Sequence, residues 1–527
     1  MNTWVKDAIV YQIYPRSFKD SNNDGIGDIN GVRSKLDYLQ QLGINTLWLS
    51  PVYDSPCDDN GYDIRDYQAI LAEFGTMQDF DLLLEECHQR GMKLVMDLVI
   101  NHCSDEHKWF EQSKKSKTGP YADYFYWADE PNDLRSVFGG SAWEYCESRQ
   151  QFYLHTFSKK QPDLNWECSN LVSDIEQMVD WWLDKGVDGF RVDAISFLDK
   201  SGIEDAPNGT YATEACVNRP KGHAHLRKLM SKVHTRNVLS VGEINARDTD
   251  ELLDYVLPSR NEFQMAIVFT PPEVEVFHEN LNRYYKEQIK TRIEVQRQGA
   301  WNANFLSNHD KPRQVSLYGD DGEFWLQSAK ALAVLNLTQH GTPYLYQGEE
   351  IGMTNCYFDE ISDYDDIDTV AKYQEQLEHG LSNDEALALV SKASRDNSRT
   401  PMQWDDSTFA GFSEITPWLK VNENKNRINV KAQQQDDESI LRFYQQLIEL
   451  RLSSETLKTG TTALYDTDDG IVAYQRESDS STYSVIVNLS PARVSAPNLD
   501  ELQGAKLILG EELSEELPPY YFAVYKS

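Results

Sequence analysis

Basic residues are scarce in this chain, paired cysteines are absent and no apolar run is long. Against 85 Asp and Glu stand only 50 Lys and Arg, so the 527 residues carry a formal charge of −35 with histidine neutral. A surface of that sign repels phosphate backbones and anionic headgroups, which argues against nucleic acid or a membrane surface as partner. The acidic excess is spread along the chain, with local concentrations such as residues 363–368, and reads as solvated faces. No stretch approaches the ~18 uninterrupted apolar residues of a membrane-spanning helix. The N-terminus, MNTWVKDAIVYQIY, lacks a basic region followed by an apolar one, so no export signal is expected. The seven cysteines, at 57, 87, 103, 146, 168, 216 and 356, form an odd set without a CxxC pair. That spacing argues against a disulfide framework and a structural zinc site, and fits a cytoplasmic protein.

What is present is a repeating pattern. Short strand-like runs recur at residues 9–14, 43–53, 93–100, 186–195, 238–243, 265–270, 301–308 and 342–349. Between the second and third, Phe80, Leu83, Leu84 and Cys87 keep helical spacing, as do Ile175, Met178, Val179, Trp182 and Leu183 before the fourth. Both stretches end at glycine, Gly91 and Gly186, where a helix C-cap is expected. Eight strands alternating with helices predict an α/β fold, a parallel (β/α)8 TIM barrel, with a doubly wound open sheet as the alternative. Residues 103–168 are rich in aromatics, Gly and Ser with little helical period, and read as a domain inserted after strand 3. Alternating short strands from residue 455 onward predict a C-terminal antiparallel β-sandwich over 455–527, leaving 1–102 and 169–454 to the barrel.

In such a barrel the chemistry sits where the strands end. Here the third run closes in Asp97 and then Asn101 and His102, the fourth in Arg191 and Asp193, the fifth in Glu243, and the seventh in Asn308, His309 and Asp310. Any one of these is at home as a structural cap. Together they crowd like charges into one mouth, and carboxyls on neighbouring strands are the equipment of glycoside cleavage, one as nucleophile and one as proton donor.

Ten ordered segments carry a family resemblance: AIVYQIYPRSF (8–18), DNGYDIRDY (59–67), DLVINH (97–102), FGGSAWE (138–144), QPDLNW (161–166), GFRVDAIS (189–196), VGE (241–243), SNHDKPR (307–313), YQGEEIGM (346–353) and RDNSRTPMQW (395–404). By these the sequence resembles the α-amylase family of glycoside hydrolases, in its branch of α-glucosidases and oligo-1,6-glucosidases. The resemblance implies Asp193 as nucleophile, Glu243 as general acid/base and Asp310 as transition-state stabiliser. Arg191, two residues before Asp193 on the same strand face, is expected to hold that carboxylate ionised, while Asp193 and Asp310 raise Glu243. Matching positions assign glucose binding to His102, His309 and Gln161, the grip on the non-reducing end to Asp63 and Arg399, and the lining of the first subsite to Tyr62, Phe138 and Phe157.

Two positions in this branch bear on linkage. Oligo-1,6-glucosidases typically carry Val after the nucleophile and Pro two residues after the acid/base, where α-1,4 enzymes carry Ala and Asn. Here they are Ala194 and Asn245, which predicts terminal α-1,4 glucose of maltose and short malto-oligosaccharides as substrate. Oligo-1,6-glucosidase and a sucrose-acting hydrolase or isomerase are the alternatives. Residues 20–28, DSNNDGIGD, space Asp20, Asn22, Asp24 and Asp28 as a loop around a hard cation would, although Gly31 stands where an EF-hand needs its bidentate Glu. The resemblance adds the Ile26 carbonyl and implies one structural Ca2+; no organic cofactor is expected. A monomer or weak homo-oligomer is expected.

Overall fold

The computed structural model describes residues 3–269, 277–499 and 502–527. Strands β1 (Val10–Ile13), β2 (Thr46–Leu49), β3 (Lys93–Val99), β4 (Gly189–Asp193), β5 (Leu239–Ile244), β6 (Met265–Val268), β7 (Ala303–Asn304) and β8 (Thr342–Tyr346) form one sheet in the order β6-β5-β4-β3-β2-β1-β8-β7. Every neighbouring pair in it is parallel, and the end strands β6 and β7 lie side by side, so the sheet nearly closes into a barrel. Each of the eight runs read from the sequence holds one of these strands, β5 running one residue beyond its run to Ile244. Thr270, the last residue of the sixth run, lies outside the described residues.

The alternation along each strand explains where the site must be. Val10, Trp48, Val95, Val241, Ile267, Ala303 and Tyr344 point inward and fill the barrel as one cluster. Leu94, Met96, Leu98, Phe190 and Val192 point outward and pack on Phe80, Leu83, Ile175, Val179 and Trp182 of the surrounding helices. Two steps beyond the inner layer on the same face come Asp97, Glu243 and Phe269, and in β4, whose Gly189 lies opposite Val95, Arg191 and then Asp193.

The helices start and stop where the local chemistry directs. Thr76 and Asp79 form a reciprocal capping box for helix Met77–Gln89. Helix Ser169–Lys185 ends at Gly186 with φ of 105°, a left-handed cap that favours glycine. The first of these helices caps one residue earlier than Gly91, at Arg90. The segment inserted after β3 holds helix Lys108–Ser113 and a three-stranded antiparallel sheet of Trp127–Ala128, Gln151–Leu154 and Trp143–Cys146. Lys200, buried on the loop after β4, ties it down through Asn101 Oδ1 at 2.9 Å and Asp163 at 3.4 Å.

After helix Glu455–Thr459 comes an antiparallel sheet of five strands, β9 (Thr461–Leu464), β10 (Val472–Ser478), β11 (Ser481–Val487), β12 (Lys506–Gly510) and β13 (Phe522–Lys526). Val472, Tyr474, Val485 and Val524 face the barrel helices; Ala473, Ile486, Ala523 and Tyr525 face the other way. The sandwich expected from the alternation is lopsided: among the described residues its second layer has only the ribbon of Val494–Ser495 with Glu516–Leu517 and adjoining loops. All seven cysteines are free thiols. No helix among the described residues is long and apolar enough to cross a membrane.

Candidate active site

A cleft of about 230 Å3 opens over the C-terminal ends of the strands, lined by Tyr62, His102, Phe138, Phe157, Asp193, Ala194, Glu243, Asn245 and Asp310 of the residues named from sequence. At its floor lies Arg191, fully buried. Its Nη1 donates to Asp97 Oδ1 at 2.7 Å and Asp193 Oδ1 at 2.8 Å, and its Nη2 meets Glu243 Oε2. Strand register accounts for this meeting, since Asp97 lies opposite Arg191 in β3 and β4, and Val241, two residues before Glu243, lies opposite Arg191 in β5. One guanidinium is therefore shared by three carboxylates. Burial pushes Asp193 up to about 7; Arg191 pulls the other way, while Asp97 and Asp310 add to the rise. The expectation that Arg191 would simply hold Asp193 ionised is corrected: its charge is divided, and desolvation outweighs the share Asp193 receives.

Asp310 is the counter-case. Burial opposes its ionisation, yet His309, Arg395 and Arg399 hold it well below the usual carboxylate range. His309 Nε2 lies 3.0 Å from Asp310 Oδ2, and Arg399 Nη2 donates to Oδ1 at 3.0 Å. Gln12 Nε2 donates to His309 Nδ1 at 2.7 Å, which leaves the ring proton on Nε2, facing Asp310. His309 also stacks on Tyr62 with ring centroids 5.2 Å apart and planes 6° apart. Arg191, His309 and Arg399 thus act behind the cleft wall. Gln161 is there too, its Nε2 3.1 Å from Asp59 Oδ2 and 3.2 Å from His102 Nε2. Burial pulls His102 down to about 4, so it is neutral at physiological pH.

Asp63 and Arg399, expected at the non-reducing end, do not line the cleft. Asp63 is fully buried and turned away from the cleft, accepting from Ser55 Oγ and from the backbone N–H of Asp58 and Asp59. Asp59 and Arg395 line the cleft instead and pair at 3.2 Å, with Arg395 also reaching Asp310 at 3.5 Å, Asp366 at 2.6 Å and the face of Phe138 at 5.3 Å. Both open segments quoted above, 59–67 and 395–404, so the signal was present; each replaces a same-type residue four positions further on. Sequence reasoning also missed Phe269, Thr213, Asp368 and Lys372 on the cleft wall, which follow no motif.

Ala194 follows Asp193 with φ of 45°, a left-handed conformation that a β-branched residue tolerates poorly. This turn sends the chain out of the barrel directly after the floor carboxylate.

The loop 20–28 folds as a string of Asx turns. Asp20 accepts from the N–H of Asn22, Asn23 and Gly25, Asn22 Oδ1 from that of Asp24, and Asp24 Oδ1 from that of Ile26. Asp28 caps the following helix through Gly31 N. Gly25, with φ of 89°, lets the loop press on Thr416, whose carbonyl oxygen would lie 2.6 Å from an added Cβ. The donors are all hard oxygens, which suits a cation such as Ca2+. Among the described residues no three His, Cys, Asp or Glu side chains are placed to hold a metal ion, so an ion here depends on the Asn22 amide and the Ile26 carbonyl as well.

Comparison with known proteins agrees with this geometry. The family model described as "Alpha amylase, catalytic domain" matches residues 12–460. The chain is 47% identical over 511 residues to an oligo-1,6-glucosidase of Parageobacillus thermoglucosidasius, covering 92% of this chain and 90% of that one. It is 40% identical to an alpha-glucosidase of Pediococcus pentosaceus, covering 99% of both. Among solved structures, the trehalulose synthase of Pseudomonas mesoacidophila superposes with a TM-score of 0.94 at 40% identity over the whole of both chains. On these grounds the chain belongs to the alpha-amylase family of glycoside hydrolases.

Proposed function

We propose that the protein is a retaining, exo-acting α-glucosidase that releases terminal non-reducing glucose from maltose and short malto-oligosaccharides. The observation that carries this reading is the pair Asp193 and Glu243 at the ends of adjacent strands, bridged by Arg191, with ionised Asp310 on the same cleft. Asp193 forms a bond to the anomeric carbon as the bond to the leaving oxygen breaks, and Glu243 passes its proton to that oxygen. Water then enters, gives a proton back to Glu243 and displaces Asp193, restoring the original anomeric configuration. Three carboxylates around one guanidinium favour one retained proton, and catalysis needs it on Glu243. Asp310 accepts hydrogen bonds from sugar hydroxyls, and the Asp59–Arg395 pair bounds the cleft behind the first sugar, which supports exo action.

Ala194 and Asn245, both on the cleft wall, support the α-1,4 linkage. The names of several relatives, oligo-1,6-glucosidases among them, favour an α-1,6 second reading. A methyl-sized difference in a pocket is worth only about 1 to 3 kcal/mol, so the two readings differ in degree. The deciding experiment compares kcat/KM on maltose, isomaltose and sucrose with product analysis. Maltose leading by about tenfold, 1.4 kcal/mol of discrimination, upholds the α-1,4 reading. Isomaltose leading replaces it by the second, and isomaltulose or trehalulose from sucrose sinks the hydrolase reading.

The loop 20–28 completes the proposal: Asp20, Asn22, Asp24, Ile26 and Asp28 would hold one Ca2+, which supplies rigidity to the loop and no chemistry. The free cysteines support a cytoplasmic location.

A further inference from the structure

Lys311 follows Asp310 on the loop after β7, and its surroundings are unusual for an ammonium. It meets no carboxylate at ion-pair distance among the described residues. Instead its Nζ lies 5.4 Å from the ring centroid of Phe269 and 5.8 Å from that of Phe305. The two rings are 6.5 Å apart and inclined by 32°. Lys311 and Phe305 line a second cavity, of about 270 Å3, whereas Phe269 lines the catalytic cleft. The ammonium is thus a wedge in the wall between two cavities.

The side of the cleft follows from the strand order. Glu243 lies opposite Ile267 in the β5–β6 register, Phe269 is two residues further on the same face, and its N–H donates to Ile244 O at 2.8 Å. The group that protonates a leaving oxygen must stand beside the leaving sugar, so Phe269, next to it, faces that sugar and not the glucose held by Asp59 and Arg395. Aromatic faces hold sugar rings by contact area, and a cation over such a ring is worth most where water is excluded.

We infer that Lys311 is a positioning residue for the leaving-group side of the cleft, clamping Phe269 against Phe305 and thereby setting how firmly the second sugar ring is held. This rests on the glucosidase reading above. It assigns a role in aglycone binding to a residue that touches neither the substrate nor the reacting atoms. Burial pulls the Lys311 ammonium down to about 8, with Asp310 pulling the other way. The other charged or titratable groups on the walls of its cavity, among the described residues, are Arg247, Asp248, Arg292, Tyr284, Tyr285 and Tyr318. Above pH 8 the clamp therefore loses its charge.

The test compares maltose, or isomaltose if that is the better substrate, with methyl α-glucoside. Both need the same proton donor, but only the disaccharide has a second ring to rest on Phe269. Lys311→Met keeps the length of the side chain and removes the charge. It should lower kcat/KM on the disaccharide about five- to tenfold, mostly through KM, with methyl α-glucoside within about twofold and K311R restoring the wild-type ratio. In the wild type the disaccharide-to-methyl ratio of kcat/KM should fall as pH rises from 7 to 9, a readout that needs no variant and stands if K311M does not fold. Equal loss on both substrates, no loss on either, or a ratio flat across that pH range overturns the role of Lys311 alone. A wild-type enzyme that cleaves neither glucoside overturns the glucosidase reading and this inference together.

Discussion

Two of the regions that bury arginine solve the problem in opposite ways. At the barrel mouth Arg191 is surrounded by Asp97, Asp193 and Glu243. At the seam between the barrel and the C-terminal sheet, Arg451 and Arg476 are equally buried, yet backbone carbonyls take the place of carboxylates. Arg451 donates to Leu337 O, Gln339 O and Leu457 O and meets Gly341 O; Arg476 donates to Thr338 O, Leu457 O and Gly460 O. Several of those carbonyls follow helix Trp325–Leu337, where the helix dipole is negative. Burial pulls Arg451 down to about 10, and burial with Arg451 beside it pulls Arg476 to about 9. Carbonyl partners cannot exchange protons, so the seam is a fixed joint. Carboxylate partners can, so the mouth trades stability for chemistry.

The contrast breaks first at Asp193. Asp193→Asn should lower kcat by at least about 10^3-fold, since the nucleophile is gone. It should also raise Tm at pH 8. The folded pKa of Asp193 lies above its unfolded value, so stability falls as pH rises between the two and the penalty is complete above about 7. Thermal scans of both proteins at pH 5 and 8 check the sign, and a lower Tm for the variant at pH 8 would count against it.

At the seam the opposite pattern is expected. Arg476→Met removes three charge-assisted hydrogen bonds and leaves the buried Thr338 O without its donor, while Leu457 O keeps Arg451 and Gly460 O keeps Gln296; it should destabilise by roughly 3 kcal/mol, with kcat/KM unchanged within about twofold. Denaturant unfolding alongside kinetics reads both.

The titrating partner sharpens the comparison further. Only the ionised nucleophile attacks, so kcat/KM of the wild type should fall about tenfold per unit as pH drops below about 7, with Tm rising over the same interval from this group. An acid limb near 4 would show that the shared guanidinium does hold Asp193 ionised.

The smallest effect lies at the loop 20–28, a third cluster of charge with neither kind of partner. Chelation with EGTA should lower Tm by about 1 to 3 °C and added Ca2+ should restore it, without altering kcat. Indifference to both would mean the Asx turns suffice.

Much of this was legible before folding was known. A period of two places Asp193 two steps beyond Arg191 and Glu243 two steps beyond Val241, and that spacing survives into the barrel because strands keep it. The pair Asp59 and Arg395 on the cleft wall was not legible in the same way. Asp59 and Asp63 are four apart in a loop, and the chain between them passes through Asn60 with φ of 49° and Gly61 with φ of 103°. Those left-handed residues turn Asp59 to the cleft and Asp63 inward, and no periodicity records such a turn. The ribbon Val494–Ser495 with Glu516–Leu517 escaped because strands of two residues carry no pattern.

By itself, then, the sequence determined the eight strands of the barrel and the carboxylates at their ends, because hydrophobic patterning is a local property that each strand states for itself. Only the tertiary structure decided how charge is shared. That three acids divide one guanidinium, that Asp310 is held well below the usual carboxylate range, and that Lys311 lies over two phenylalanine rings without an ion pair depend on which elements meet. Electrostatic energy is set by distance and burial across the fold, and neither is written in a single segment.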